Sequence, residues 1–199
     1  MEATPATTTT PARPAEPFWN VPNALTMSRL GLSVVVLALV AHAWYGWALA
    51  VFGLTALTDA LDGYAARRLG QSTALGRQLD PLVDKVVVSG VFIFLLTVPG
   101  SGLAPWMVTT IVARELLIQG LRSHLEAGGQ AFGARMAGKL KTVAQCLSIA
   151  AILAALGLRP APGWLMARDV VTWTAVALTV YSGLGYVALA LPKLRSPSP

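Results

Sequence analysis

Residues 139–157 read KLKTVAQCLSIAAILAALG, a run that begins with two lysines and then becomes almost continuously apolar. Apolar and polar side chains do not alternate with period two, as they would in a lipid-facing β-strand, so the run predicts a helix. A helix rises about 1.5 Å per residue and the hydrocarbon core of a bilayer is about 30 Å thick. The run therefore predicts a membrane-spanning helix.

Five further apolar runs accompany this segment, at residues 24–41, 43–58, 82–99, 103–122 and 170–191. In the whole chain 55% of residues are hydrophobic, 12% are charged and the mean hydropathy is +0.62, values far from those of a soluble domain. Backbone polar groups in lipid must be satisfied within their own segment, which favours helices. The sequence therefore predicts an all-α polytopic membrane protein in which residues 18–193 form a bundle of six transmembrane helices.

The ends of the chain differ from this bundle. Residues 1–17 contain four consecutive threonines and four prolines, lack the apolar core of a secretory signal, and predict a disordered arm. Residues 194–199 predict a short tail. All lysines and arginines except Arg159 and Arg168 lie in the arm, in the tail, in the segments that join helices 2–3 and 4–5, or at helix ends that face those segments. The positive-inside rule then places both termini in the cytoplasm, for instance at a bacterial inner membrane.

The net charge of +6 predicts an anionic partner. Nucleic acid is disfavoured because no basic and aromatic stripe lies on a soluble domain, so anionic lipid or phosphate is favoured. Cys146 is the single cysteine, which excludes an intramolecular disulfide. His42 and His124 have no ligand partners nearby in the sequence, and neither is assigned a catalytic role.

Four aspartates, Asp59, Asp62, Asp80 and Asp84, lie within one short stretch of this apolar chain. A carboxylate at the bilayer centre costs about 2.5–3.5 kcal/mol on insertion scales, so four of them must lie near the surface, in a wet cavity or on cations. Oxygen ligands without histidine or cysteine favour Mg²⁺ or Mn²⁺, and four carboxylates suit two ions. Asp80 could instead be a helix N-cap, because Pro81 follows it.

Small residues share helix faces with these carboxylates. Positions 59, 62, 63 and 66 follow the i, i+3, i+4, i+7 spacing of one face, and Gly76 stands four residues before Asp80. Gly63 costs about 1 kcal/mol against alanine in a helix interior, unless a ligand must approach the backbone closely. The stretch therefore predicts two carboxylate-bearing faces beside which a ligand fits.

The complete pattern is Asp59-x2-Asp62-Gly63-x2-Ala66-Arg67-x8-Gly76-x3-Asp80-x3-Asp84. At every fixed position it resembles the signature of the CDP-alcohol phosphatidyltransferase family. The resemblance implies a six-helix membrane enzyme, usually a homodimer, with its active-site cavity on the cytoplasmic side. Such an enzyme transfers a phosphatidyl or similar group from a CDP-linked donor to an alcohol and releases CMP.

The resemblance also implies residue roles. Asp59, Asp62 and Asp80 are expected to bind two Mg²⁺ or Mn²⁺ ions, and Asp84 is expected to act as general base and as a further metal ligand. A positioned carboxylate makes the acceptor hydroxyl a competent nucleophile by taking its proton. The residues expected to bind the CDP donor are Asp59, Asp62, Gly63, Ala66, Arg67 and Gly76. For Arg67, an interface anchor beside Arg68 is the alternative.

Three other segments resemble the branch of the family whose acceptor is glycerol 3-phosphate: Pro22-Asn23-x-Leu25-Thr26-x2-Arg29, Ala113-Arg114-Glu115, and Gly138-Lys139-Leu140-Lys141-Thr142. Cardiolipin synthases of the same family share the first of these segments. An acceptor that carries its own phosphate needs cations beyond the metal ions. The residues expected to bind that phosphate are Thr26, Arg29, Arg114, Lys139 and Lys141. The alternative for the two lysines is that they only enforce topology. Arg122 lies near the same helix face as Arg114, about 12 Å further along the axis.

Other functions stay open at this point. The first alternative acceptor is phosphatidylglycerol, as in cardiolipin synthesis, and the second is inositol phosphate. A cation transporter would place carboxylates near the membrane midplane, whereas these lie at helix ends. A scaffold protein would leave the carboxylates and small residues unexplained. The sequence thus favours transfer from CDP-diacylglycerol to glycerol 3-phosphate in a homodimer.

Overall fold

The computed structural model describes residues 21–69, 74–128, 136–158 and 162–195, which form six α-helices and no strand. Side chains are described at 27–58, 85–126, 128, 136–158 and 163–192. The helices are α1 (Val21–Ala41), α2 (Tyr45–Leu69), α3 (Ala74–Leu96), α4 (Pro105–Ala127), α5 (Met136–Gly157) and α6 (Pro162–Arg195). The prediction of an all-α fold with six helices is confirmed for this part of the chain. The arm predicted at 1–17 lies outside the described residues.

All six helices contribute to one apolar core. Its largest side chains have no exposed surface and come from three helices, as shown by Phe92 in α3, Ile111 in α4 and Ile149 in α5. The helices pack in neighbouring pairs: α1 contacts α2 and α3, α5 contacts α2 and α6, and α4 contacts α3 and α6. The helix ends are also close, because a Cβ built at Gly157 in α5 would lie 2.8 Å from the backbone nitrogen of Gly46 in α2.

The connection between α3 and α4 is fixed by Arg168 at the start of α6. The Arg168 guanidinium donates to the Gly100 carbonyl, and its Nε and Nη2 donate to Asp169 Oδ1 at 2.8 and 2.6 Å. Gly102 has φ +75, and a Cβ there would lie 2.8 Å from the Arg168 guanidinium carbon. Glycine is therefore needed at 102 both for its backbone angle and for its lack of a side chain. Arg168 and Gly100 form a contact that we call the loop clamp.

Two helices of the described chain are long and apolar enough to cross a membrane: Met136–Gly157 and the Gly163–Pro192 part of α6. Shorter apolar helical segments occupy Met27–Ala41, Tyr45–Thr58 and Lys85–Leu96. Many large apolar side chains point outward, among them Trp47, Leu116 and Tyr181. This outward apolar surface is what a lipid-facing bundle requires, because exposed apolar area is costly only in water.

The structure corrects one interpretation of Asp80. Helix α3 begins at Ala74, so Asp80 lies inside the helix and is not its N-cap. The capping interpretation relied on Pro81, which favours a helix start. A carboxylate inside a helix, where no backbone N–H needs a cap, requires another explanation.

Candidate active site

A cavity of about 450 Å³ lies among the helices, and each of the six contributes to its wall. On one side are Phe52, Thr55 and Ala56 of α2, and on another Tyr186 of α6. Six basic residues line it: Arg29, Lys85, Arg114, Arg122, Lys139 and Lys141. Glu115 is the one acidic side chain among the described lining residues. Such a surplus of positive charge, partly screened from water, favours an anionic ligand.

Glu115 is the centre of a buried ionic cluster. Its carboxylate is 2% exposed, accepts a hydrogen bond from Lys141 Nζ, and lies 3.3 Å from Arg114 Nη1. Lys141 is only 5% exposed and Arg114 is also buried. Two buried cations thus share one described anion, which leaves one positive charge uncompensated within this cluster. Because a buried charge is unfavourable without a partner, the cluster favours a bound anion in the adjoining cavity.

Hydrogen bonds continue from Lys141 into α6. Lys141 Nζ donates to Gln145 Oε1 at 3.3 Å, and Gln145 Nε2 donates to Thr179 Oγ1 at 3.0 Å. Thr179 Oγ1 in turn donates to the Ala175 carbonyl one turn earlier. Each of these polar groups is buried and satisfied, which restricts the lysine to one orientation.

Arg114 has its own partners on α6. Its Nη2 donates to Ser182 Oγ at 3.1 Å, and its guanidinium carbon lies 5.5 Å from the centroid of the Tyr186 ring. That distance is within the range of a cation–π contact. Arg114 Nε has no hydrogen-bond acceptor among the described residues. The guanidinium is therefore held by α6, while one of its donors has no partner in the described part of the chain.

Three further cations of the cavity lie outside this cluster. Lys85 Nζ donates to Gln119 Oε1, which links α3 to α4. Arg122 Nε lies 3.9 Å from Glu126 one turn further along α4. Lys139 is exposed although it lines the cavity.

The structure brings four of the five predicted phosphate-binding residues to this cavity: Arg29, Arg114, Lys139 and Lys141. The side chain of the fifth, Thr26, lies outside the described part. Their binding role stays a prediction. Sequence reasoning missed Lys85, whose only signal was its place directly after Asp84. It also missed Tyr186, since α6 carries no recognisable motif.

The predicted metal and donor residues lie on the two helices that lead away from the cavity. Helix α2 contains Asp59, Asp62, Gly63, Ala66 and Arg67, and α3 contains Gly76, Asp80 and Asp84. Their side chains lie outside the described part of the structure, and the side chains that are described contain no cluster of three or more metal-binding residues.

The described neighbours of these residues do line the cavity. Thr55 and Ala56 precede Asp59 by four and three residues, and Lys85 directly follows Asp84. Spacings of three and four place helical positions on one face, so the cavity-lining face of α2 continues to position 59. Both helices therefore run directly from the cavity into the aspartate segments.

Comparison with known proteins adds a family match. The family model for CDP-alcohol phosphatidyltransferase matches residues 19–181. A Bacillus subtilis (strain 168) protein named CDP-diacylglycerol–glycerol-3-phosphate 3-phosphatidyltransferase is 35% identical, over 90% of this chain and 99% of its own length. Two further proteins of the same name are similar to this chain. The one from Cereibacter sphaeroides is 39% identical, over 83% of this chain and 76% of its own length. The one from Escherichia coli K12 is 32% identical, over 88% of this chain and 97% of its own length.

Proposed function

The chain belongs to the CDP-alcohol phosphatidyltransferase family, and from that membership we propose that it transfers the phosphatidyl group of CDP-diacylglycerol to glycerol 3-phosphate. The products are phosphatidylglycerophosphate and CMP. The observation that carries the choice of acceptor is the cavity, in which six basic side chains accompany one described acid. Glycerol 3-phosphate supplies the phosphate monoester that such a set of cations binds well.

The same cavity argues against the other candidates. Inositol carries no charge, and the phosphodiester of phosphatidylglycerol carries a smaller charge than a phosphate monoester, so neither needs as many cations. A cation transporter is disfavoured because it would leave the six basic side chains of the described cavity wall without a role. Inositol phosphate remains the competitor that the charge argument alone does not separate.

The four aspartates fit hard divalent ions as a donor set. Asp59 and Asp62 lie three residues apart in α2, and Asp80 and Asp84 lie four apart in α3, so the two members of each pair are expected to share a helix face. Two Mg²⁺ or Mn²⁺ ions on this set would supply charge compensation for the donor diphosphate. This proposal assigns the same carboxylates, with Gly63, Ala66, Arg67 and Gly76, to donor binding.

In the proposed reaction Asp84 takes the proton from the acceptor hydroxyl. The hydroxyl oxygen then forms a bond to the phosphorus of the phosphatidyl group, and the bond from that phosphorus to the bridging oxygen of the diphosphate breaks. The electron pair leaves with CMP. Arg114 and Lys141 bind the acceptor's own phosphate, which fixes its hydroxyl near the base and lowers the entropic barrier.

The proposal includes the membrane arrangement. Six spans place both termini and the cavity on the cytoplasmic side of a bacterial inner membrane, where both water-soluble reactants are available, and the enzyme is a homodimer. Support comes from the location of the cations: Lys139 and Lys141 lie in the first turns of α5, on the side that the positive-inside rule assigns to the cytoplasm.

The test is release of CMP by the purified protein in detergent with CDP-diacylglycerol and Mg²⁺ or Mn²⁺. Glycerol 3-phosphate, phosphatidylglycerol, inositol and inositol phosphate are compared as acceptors. Release that depends on glycerol 3-phosphate is expected. Release with a different acceptor instead would move the protein to a sister activity, and no release with any acceptor would contradict the enzymatic proposal.

A further inference from the structure

Three residues of α6 surround the Arg114 guanidinium, and we call Ser182, Gly183 and Tyr186 the α6 cradle. Ser182 accepts a hydrogen bond from Arg114 Nη2 at 3.1 Å, and the Tyr186 ring lies beneath the guanidinium with its centroid 5.5 Å from Cζ. A Cβ built at Gly183 would lie 3.0 Å from Arg114 Cγ. The missing side chain at 183 is thus what lets the arginine stem lie against α6.

The cradle is built in the interior of the bundle. Tyr186 is 4% exposed and Ser182 is also buried, so water competes little for the guanidinium there. Cation–π contacts strengthen when the cation is desolvated. Arg114 Nε, which has no acceptor among the described residues, leaves a donor for a ligand in the cavity that Tyr186 also lines. The cradle therefore orients a cation whose Nε has no acceptor within the described part of the chain.

Tyr186 also reaches α5. A Cβ built at Gly138 would lie 3.0 Å from the Tyr186 hydroxyl oxygen, so the tyrosine rests against the turn that carries Lys139. Tyr186 thus contacts the Arg114 guanidinium of α4 and also the turn of α5 that carries Lys139. Its shape fixes the spacing between Arg114 and the first turn of α5.

We propose that the α6 cradle positions Arg114 for recognition of the acceptor's phosphate, with Tyr186 as the principal positioning residue. The inference rests on the proposed function and adds residues to it. The family match ends at residue 181, so all three cradle residues lie beyond the matched segment. Tyr186 acts through Arg114, and its loss should weaken binding of the phosphorylated acceptor while leaving the lipid donor unaffected.

The experiment measures KM for glycerol 3-phosphate, KM for CDP-diacylglycerol and kcat in Tyr186→Leu, Tyr186→Phe and the wild type. Loss of a desolvated cation–π contact corresponds to about a tenfold change in affinity. We expect Tyr186→Leu to raise KM for glycerol 3-phosphate about tenfold, with KM for the donor unchanged. Tyr186→Phe keeps the ring beneath the guanidinium and should give a lower KM for glycerol 3-phosphate than Tyr186→Leu. The matched control is Tyr181→Leu, an outward-facing tyrosine on the same helix that is 70% exposed.

A second variant tests the cradle without removing the ring. Gly183→Ala places a methyl group against Arg114 Cγ and should also raise KM for glycerol 3-phosphate but not for the donor. If Tyr186→Leu does not fold, this variant still tests the role of the cradle. If KM for glycerol 3-phosphate is unchanged in these variants, or if KM rises equally for both substrates, the inference is overturned. The proposed function stands in that case, provided that the wild type is active with glycerol 3-phosphate. If the wild type releases no CMP with glycerol 3-phosphate, the proposed function fails and this inference fails with it.

Discussion

Replacing Glu115 with glutamine should destabilise the protein strongly. The carboxylate is 2% exposed and lies between Lys141 and Arg114, from which it accepts hydrogen bonds. Removing one partner from a buried ion pair costs about 3–5 kcal/mol, because the remaining charge stays buried without a counter-ion. For a chain of this size 1 kcal/mol corresponds to about 2–4 °C in Tm, so the expected loss is roughly 6–20 °C.

The assay is a thermal scan at one fixed rate in one detergent, because the apparent Tm of an irreversible transition depends on scan rate. A thiol-reactive fluorophore can report unfolding through Cys146, the single cysteine, which is partly buried. The matched control is Glu126→Gln on the same helix. Its side chain is 56% exposed and 3.9 Å from Arg122, and a solvent-screened pair contributes at most about 1 kcal/mol.

Adding inorganic phosphate provides a second test of the same cluster. Inorganic phosphate in the cavity would replace the missing negative charge, so it should raise the Tm of Glu115→Gln more than that of the wild type. Glu115→Gln could instead have the same Tm as Glu126→Gln, close to that of the wild type. The stability of the cluster would then not depend on the Glu115 carboxylate, and the charge argument for an anion site would be refuted.

Four further variants test the remaining parts of the site and fold. Asp84→Asn should nearly abolish CMP release while donor binding, measured with labelled CDP-diacylglycerol, persists; an active variant would remove Asp84 as the base. Lys139→Ala should mainly raise KM for glycerol 3-phosphate, whereas Lys141→Ala should also lower Tm because the lysine is buried; altered topology in a reporter-fusion assay would instead favour a purely topological role. Gly157→Ala should lower Tm, since its Cβ would lie 2.8 Å from the Gly46 nitrogen, and an unchanged Tm would mean that the helix ends separate easily.

The sequence predicted the number of helices well, but it missed the length of several. The apolar run 43–58 predicted only the first part of α2, which continues to Leu69, and α3 begins at Ala74 rather than near residue 82. Hydropathy detects the portion of a helix that contacts lipid or core. The polar remainder is helical for local reasons, such as the alanines and leucines between the aspartates, and has no apolar signature.

The same limit applies to the candidate site. Arg114, Lys139 and Lys141 could be found because they resemble family segments, whereas the partners of Arg114 could not. Ser182 lies 68 residues further along the chain, and only the packing of α4 on α6 brings it within hydrogen-bond distance. Burial also separates the two lysines: Lys139 is exposed, as a purely topological lysine would be, while Lys141 is buried against Glu115.

The loop clamp has a mechanical consequence for the whole molecule. Helix α6 is tied to the α3–α4 connection through Arg168 and to α4 through Ser182, two points about 21 Å apart along its axis. Pro192, a proline inside the helix, lies beyond both points, so it does not bend the segment between them. The segment between the two attachments is therefore a rigid helix, and a tilt of this helix would strain one of the attachments. A tilt of α6 that widens the cavity would therefore have to carry α4 and the α3–α4 connection with it.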